Sequence, residues 1–358
     1  MKKRVGIVTI TFGENYGNRL QNYALQEVVK SLGYEAETLQ RNVYNSFLSQ
    51  VKNRFCGLFR KKIEKQRKRT FQQFNNLYIK FSEECLYKRK PNKHIAEKYD
   101  AFISGSDQIW NPNWDFNSDI DFLTFAHENQ RITYAASFGV EEIPEVKKFR
   151  YQRWLLGFKE ERLSVREETG VRIVEELTGQ SPKLHIDPTM LLPVEKWSRI
   201  ERKPNNIDMP HRYILVYCLS NVKKDDMKYI EKRASDIGAK LIYLNSLEHP
   251  EWYVLNPAEF IYLIHKATLV FTDSFHGCVF SMLYHVPFVV LHRKKSISNM
   301  EDRIFTLLRT FHMEKRDIEN LPENIFECEF DTFEEILNRE RLRSTSYLAC
   351  LLPKAFPV

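Results

Sequence analysis

Residues 5–12 read VGIVTITF and residues 13–18 read GENYGN, and the passage from one to the other decides the fold. An unbroken run of β-branched and apolar residues is the pattern of a strand buried on both faces, as in a parallel sheet. After the glycine-bearing turn the period changes: Leu20, Ala24, Val28 and Leu32 fall on one helical face, and Gly33 stands where a helix end takes a left-handed residue. Residues 34–39 then read as a second strand. This is a βαβ unit, and in such sheets ligands bind at the loops leaving the carboxyl ends of the strands.

The unit recurs along the chain. Strand-like residues 99–104 lead into GSDQIWN, 132–137 into FG, and 162–165 into RE and the helical TGVRIVEELTG, after which KLHIDPTMLL closes the first half. The polar, proline-flanked residues 193–211 read as a linker. The pattern restarts at YILVYCLS (213–220), followed by a helix over 223–236, the strand KLIYLN, a helix over 257–266, the strand TLVFTD, a helix over 275–285 and the strand PFVVLHR. The expected fold class is α/β, with two Rossmann-like domains, residues 1–192 and 212–330, facing a cleft. Residues 331–358 hold a last helix that opens with Asp331 and Glu334 in capping-box spacing and is expected to cross the domain junction. A helical insert, residues 45–97, interrupts the first domain. Phe47, Val51, Phe55 and Leu58, then Phe71, Phe74, Tyr78 and Phe81, recur every three or four positions, which predicts two amphipathic helices around a basic run.

Composition narrows the classes. The chain has 358 residues, 43% hydrophobic and 28% charged, with a mean hydropathy of −0.46, which fits a globular two-domain protein. Six dispersed cysteines form no CxxC pair, so neither a zinc ribbon nor a disulfide framework is suggested and a reducing cytoplasm is expected. No apolar run approaches the roughly 18–20 residues of a spanning helix. The net charge of +7 is local: residues 52–69 carry nine Lys/Arg against one acidic residue, leaving 45 basic and 46 acidic residues elsewhere. Nucleic acid is not the expected partner, because no recognised nucleic-acid motif accompanies the run. An apolar stripe beside cations over residues 47–69 fits either peripheral contact with an anionic membrane or a stripe that covers the sheet while the lysines face water.

The strongest local constellation is FTDSFHGCVFS, residues 271–281. A buried strand ends there and His276 opens a helix, beside backbone N–H groups that favour an anion; Ser274, Phe275 and Gly277 surround it, and Gly277 would let a ligand approach the backbone. A turn histidine that merely caps a helix fits the same residues. Arg166, at a strand end in SVRE, could hold a carboxylate or phosphate bidentately or form a solvated cap pair. HRKKSIS (292–298), with Lys294 and Lys295, and Arg303 form a cationic group downstream. On the first-domain side, Asn15, Asn18, Arg19 and Gln21 suit hydroxyl-rich groups, and GSDQIWNP offers Asp107, Gln108 and Trp110, an indole beside an amide and a carboxylate, as sugar rings prefer; each also has a structural role open to it. GENYGNRLQ lacks both GxGxxG and the Walker lysine, so a nucleotide is not the natural ligand.

Taken in order and spacing, GENYGNRLQNYALQ, GSDQIWN, YAASFG, SVRE, HIDPTMLL and TDSFHG resemble the polysaccharide pyruvyl transferase family. The resemblance implies a GT-B-like pair of domains and transfer of the enolpyruvyl unit of phosphoenolpyruvate to a sugar as a ketal, releasing phosphate. It places the catalytic histidine on His276 and the donor-binding arginine on Arg166, with Asn15, Asn18, Arg19, Asp107, Gln108 and Trp110 expected on the acceptor side. Many members carry arginine and leucine before that histidine; here Ser274 and Phe275 stand instead, so either the Lys294/Lys295 loop or Arg303 supplies the missing cation or the donor is held differently. The implied chemistry needs no metal and no cofactor beyond its donor substrate. A lipid-linked oligosaccharide is the expected acceptor, which would bring a cytoplasmic protein to the inner face of the membrane. A GT-B glycosyltransferase using a nucleotide sugar is the competing expectation.

Overall fold

The computed structural model describes residues 2–42, 58–88, 92–205, 207–293 and 302–354. The first domain runs β1 (Arg4–Val8), α1 (Tyr16–Ser31), β2 (Glu35–Asn42), α2 (Leu58–Tyr78), β3 (Phe81–Tyr87), α3 (Lys93–Ala96), β4 (Ala101–Ser104), β5 (Arg131–Thr133), α4 (Glu145–Leu155), β6 (Ser164–Val165), α5 (Glu168–Thr178) and β7 (Lys183–Leu184). Its parallel sheet has the order β3-β2-β1-β4-β5, and single bridges through Ala136 carry it on towards the β6–β7 pair. Two short helices, α6 (Pro188–Leu191) and α7 (Val194–Ile200), lead to the second domain. That domain contains β8 (Tyr213–Tyr217), α8 (Lys224–Asp236), β9 (Lys240–Leu244), α9 (Pro250–Tyr253), α10 (Pro257–His265), β10 (Leu269–Thr272), α11 (Phe275–Leu283), β11 (Phe288–Val290) and α12 (Asp302–Thr310). Its four parallel strands are ordered β9-β8-β10-β11. Strand order reverses between β1 and β4 in one sheet and between β8 and β10 in the other, and such reversals open a crevice at the strands' carboxyl ends.

The α/β class holds, with local differences. β1 ends at Val8, not at residue 12. Thr9 and Ile10 stay buried, and Thr9 Oγ1 accepts from Gln21 Nε2 at 2.8 Å, so burial rather than pairing accounts for the apolar pattern beyond the strand. Part of the expected linker is core: in α7, Trp197 is fully buried, donates its indole N–H to the Thr189 carbonyl at 3.1 Å and packs against Tyr23 and Phe280. In the insert the structure shows one 21-residue helix, α2, and then a strand that joins the sheet beside β2, so Phe81 is a strand residue. Phe47, Val51 and Phe55 lie outside the described residues. The last helix, α13 (Asp331–Leu351), starts with Asp331 inside the helix and Phe330 as a cap without a side-chain bond, so the capping box does not form.

The apolar face of α2 is spent inside the protein. Ile63, Phe71 and Phe74 are buried, whereas Lys61, Lys62, Lys65, Lys68 and Arg69 are exposed on the opposite face. Arg67, a member of the basic run, is buried and ties the domains together. It donates to the Tyr253 carbonyl, to the Glu14 carbonyl at 3.0 Å and to Asn245 Oδ1 at 3.0 Å. Between the domains Tyr16 stacks on Phe260 at 4.7 Å and meets Phe71 and Tyr217, so one apolar cluster crosses the junction. α13 returns over the first domain, where Arg341 Nε donates to the Met190 carbonyl at 2.7 Å and the Tyr347 hydroxyl to the Thr133 carbonyl at 3.0 Å. Among the described residues no helix is long and apolar enough to cross a membrane.

Candidate active site

The two sheet crevices open onto one cleft of about 230 Å³. From the first domain it is lined by Ile10, Phe12, Gly13, Asn15 and Asn18 after β1 and by Asp107, Gln108, Trp114 and Phe116 after β4. The second domain contributes Leu219 after β8, Ser274, Phe275 and His276 after β10, Arg293 after β11, and Arg303 on α12. Capping places the two helix starts. The Asn15 side chain accepts from Asn18 N–H at 3.1 Å at the head of α1, and Ser274 Oγ accepts from Gly277 N–H at 3.4 Å at the head of α11. Asn18 Nδ2 then donates to Asp107 Oδ2 at 2.7 Å, linking helix start to the turn after β4, where Asp107 holds a left-handed φ of 60°.

Beneath the cleft lies a buried ionic network. Asp187 Oδ2 accepts from Arg166 Nη1 at 2.6 Å and from Ser106 Oγ at 3.0 Å; Oδ1 accepts from Thr189 N–H at 3.0 Å and Thr189 Oγ1 at 2.7 Å, and lies 3.7 Å from His276 Nε2. Burial alone would raise the Asp187 carboxyl, but His276, Arg166 and the Thr189 N–H outweigh it and hold the group well below the usual carboxylate range. Asp107 behaves alike: burial opposes its charge, yet Arg166, His276 and Arg303 keep it ionised. Arg303 Nη1 is 3.6 Å from Asp107, and with the Gln108 amide oxygen facing it the two guanidinium nitrogens are 3.1 and 2.7 Å from that oxygen. Burial and the neighbouring Arg166 lower Arg303 to about 10. Arg293 is anchored by the Asp273 carbonyl at 2.9 Å and its carboxylate at 3.2 Å. His276 sits in a slot: Asp187 is on its Nε2 side, and on its Nδ1 side is Gly17, where an added Cβ would lie 1.9 Å from Nδ1.

Eight residues singled out from the sequence meet in the cleft: Asn15, Asn18, Asp107, Gln108, Ser274, Phe275, His276 and Arg303. Five do not line it, among them Gln21, which is buried and donates to Thr9 Oγ1 at 2.8 Å and to the Asn18 carbonyl at 3.0 Å. Trp110 is fully buried, stacked on Phe122 at 5.0 Å with its indole N–H on the Asp121 carbonyl, so it anchors the core and offers no face to a sugar. Arg19 turns inward to the Gly13 carbonyl and braces the loop from behind. Arg166 commits its guanidinium to Asp187 and Asp107 beneath the Phe275 ring, 4.3 Å away, with a side chain only 1% exposed. Gly277 serves packing rather than ligand approach, because a Cβ there would lie 2.3 Å from Thr272 Oγ1 of its own strand. Lys294 and Lys295 lie outside the described residues. Sequence reasoning missed Arg293, adjacent to the two lysines, Trp114, four positions past Trp110, and Gly17 and Asp187, whose partners belong to distant segments. His292, Asp317 and Glu319 are the one described group close enough to share a metal ion, but His292 Nε2 is 2.7 Å from Asp317 Oδ2 and none of the three lines the cleft.

Comparison with solved structures supports the fold. The UDP-GlcNAc 2-epimerase from Methanocaldococcus jannaschii is similar over 94% of this chain and 99% of its own, with a TM-score of 0.50 and 12% identity. The Neisseria meningitidis UDP-GlcNAc 2-epimerase bound to UDP-GlcNAc gives 0.48 at 13% identity over 95% and 100% of the two chains, and the E. coli ADP-heptose LPS heptosyltransferase II gives 0.37 at 11% over 95% and 99%. The arrangement of the two domains is of the GT-B type. Among curated protein sequences none matches. The model of one family, polysaccharide pyruvyl transferase, matches residues 15–294, a span that holds both helices whose starts form the cleft, and on that match the chain belongs to the polysaccharide pyruvyl transferase family.

Proposed function

We propose that the protein transfers the enolpyruvyl unit of phosphoenolpyruvate to two hydroxyls of a sugar, forming a pyruvate ketal and releasing phosphate. The observation that carries this reading is the meeting of His276, backed by the Asp187 carboxylate, with Arg293 and Arg303 in one cleft. Protonation of the donor's methylene carbon creates an oxocarbenium-like centre. One sugar hydroxyl adds and returns its proton to the imidazole, phosphate leaves with its bridging oxygen, and the second hydroxyl closes the ring as its proton passes to the departing phosphate. His276 as imidazolium gives the proton, and Asp187, 3.7 Å from Nε2, backs the ring on its other side. Arg293, Arg303 and the N–H groups at the head of α11 are suited to the donor's carboxylate and phosphate. Arg166 acts one step back, as the positioning residue that fixes both Asp187 and Asp107. Nothing in this scheme requires a metal or a further cofactor.

The acceptor is proposed to be a sugar of a surface polysaccharide or its lipid-linked precursor, reached at the inner face of the membrane. The exposed cations of α2 would meet anionic headgroups by charge without insertion, since the apolar face of that helix is already packed. Anionic liposomes should therefore sediment the protein at low salt and release it at about 0.5 M salt; no sedimentation at low salt would remove this contact. A nucleotide-sugar glycosyltransferase is the second reading, favoured by the GT-B arrangement alone. Incubation with phosphoenolpyruvate and a panel of aryl and lipid-linked glycosides should release phosphate, whereas nucleotide release from a nucleotide sugar in place of phosphate would support the second reading.

A further inference from the structure

The wall of the cleft opposite His276's helix carries an aromatic stack that the proposed chemistry does not use. Trp114 lies 5.5 Å from Phe116 with planes 26° apart, and Phe116 meets Phe12 edge-on at 4.4 Å. All three line the cleft. The turn that carries the indole is closed by Trp114 N–H to the Asn111 carbonyl at 3.3 Å and Asn117 N–H to the Trp114 carbonyl at 3.1 Å. Yet Trp114 is 44% exposed, while Trp110, Trp154, Trp197 and Trp252 are each below a tenth. A large side chain held in place from behind and open in front loses little entropy when something covers it. Asn15 and Asn18, also from the first domain, line the same cleft with their amides bonded to Asn18 N–H and Asp107. Indole with adjacent amides matches a pyranose, whose C–H face is apolar and whose rim is hydroxyl.

We propose that Trp114 is the platform on which the ring of the acceptor sugar stacks, and that it selects pyranosides presenting an uninterrupted C–H face. The identification of that sugar as acceptor rests on the pyruvyl transfer proposed above; the stacking itself does not. In a β-galactoside, H1, H3, H4 and H5 share one face. An axial aglycone in the α anomer interrupts it.

Ligand-observed saturation-transfer NMR with methyl β-galactoside and its α anomer tests the platform without any turnover. The expected result is saturation concentrated on H3, H4 and H5 of the β anomer, an at least threefold weaker signal for the α anomer, loss of signal in Trp114→Ala and partial retention in Trp114→Phe. No signal from the unaltered protein, or equal signal in Trp114→Ala with an unchanged melting temperature, would overturn the proposal. Kinetics separate it from the reading it rests on. Trp114→Ala should raise the acceptor KM about tenfold while kcat and the phosphoenolpyruvate KM stay within about twofold. Turnover with an unchanged acceptor KM would sink the platform and leave pyruvyl transfer standing. Trp114-dependent glycoside binding without phosphate release would do the reverse.

Discussion

The head of α1 and the head of α11 are built from the same parts: a strand end at a sheet crevice, a short polar cap, an aromatic residue and a glycine. Asn15, Tyr16 and Gly17 form one; Ser274, Phe275 and Gly277 form the other. Their glycines answer to different neighbours. Gly277 is small because Thr272, on the strand before it, occupies the space a side chain would need. Gly17 is small because His276, from the other domain, occupies it. One glycine lets a helix pack on its own sheet and the other lets one domain receive His276 of the other, so a single local device serves packing within a domain in one place and between domains in the other.

The largest effect is expected at His276. His276→Ala should reduce phosphate release from phosphoenolpyruvate by about 10²–10⁴-fold while the protein stays folded; near-normal turnover would end the assignment. Gly17→Ala should come next, with kcat down by about 10²-fold, because the new methyl displaces His276 from the slot against Asp187. Its thermal stability should fall less than that of Gly277→Ala. In Gly277→Ala the methyl meets a β-branched side chain that donates to the Tyr217 carbonyl at 2.6 Å and accepts from Ser274 N–H at 3.0 Å, so the clash cannot relax by a rotamer change. Denaturant titration should show a loss of about 1–3 kcal/mol with kcat of the folded fraction retained within a few-fold. If both variants lose stability and activity in the same proportion, the distinction between the two glycines is wrong.

The smallest expected effect concerns a second histidine. His185 is buried between the rings of Tyr134 and Tyr347, with Nδ1 2.8 Å from Ser164 Oγ, and burial together with Arg343 and Lys183 pushes it down to about 3. Its folded value lies below the unfolded one, so the unfolded chain binds the extra proton first and stability is lost as pH falls from about 6.5 towards 3. Between pH 6.5 and 5 this amounts to about 2 kcal/mol, measurable by urea titration and diminished in His185→Gln. An identical pH slope in the variant would exclude His185 as its source.

Much of the scaffold was legible because it is written in period and punctuation. The buried strands at residues 5–8, 101–104, 213–217 and 269–272, the helical face from Leu20 to Val28, and the left-handed Gly33 at φ 94° all follow from local sequence. His276 and Arg303 were singled out from the sequence, and the structure brings both to the cleft. What local sequence could not carry were the partners: Trp110 and Trp114 are both indoles in one loop, yet one is sealed against Phe122 and the other opens onto the cleft.

Local sequence specified two α/β units, the strand ends that border the cleft, and the family likeness of the motifs along them. Which cations border the cleft was settled by tertiary packing. Arg166 is consumed by Asp187 and Asp107, Arg67 by the domain junction, and the stripe of α2 by the core, whereas Arg293 and Arg303 border the cleft. The reason is physical: period and capping act over a few residues of chain, but desolvation and charge pairing depend on what arrives from 21 residues away, as Asp187 does for Arg166, to 186 away, as Tyr253 does for Arg67.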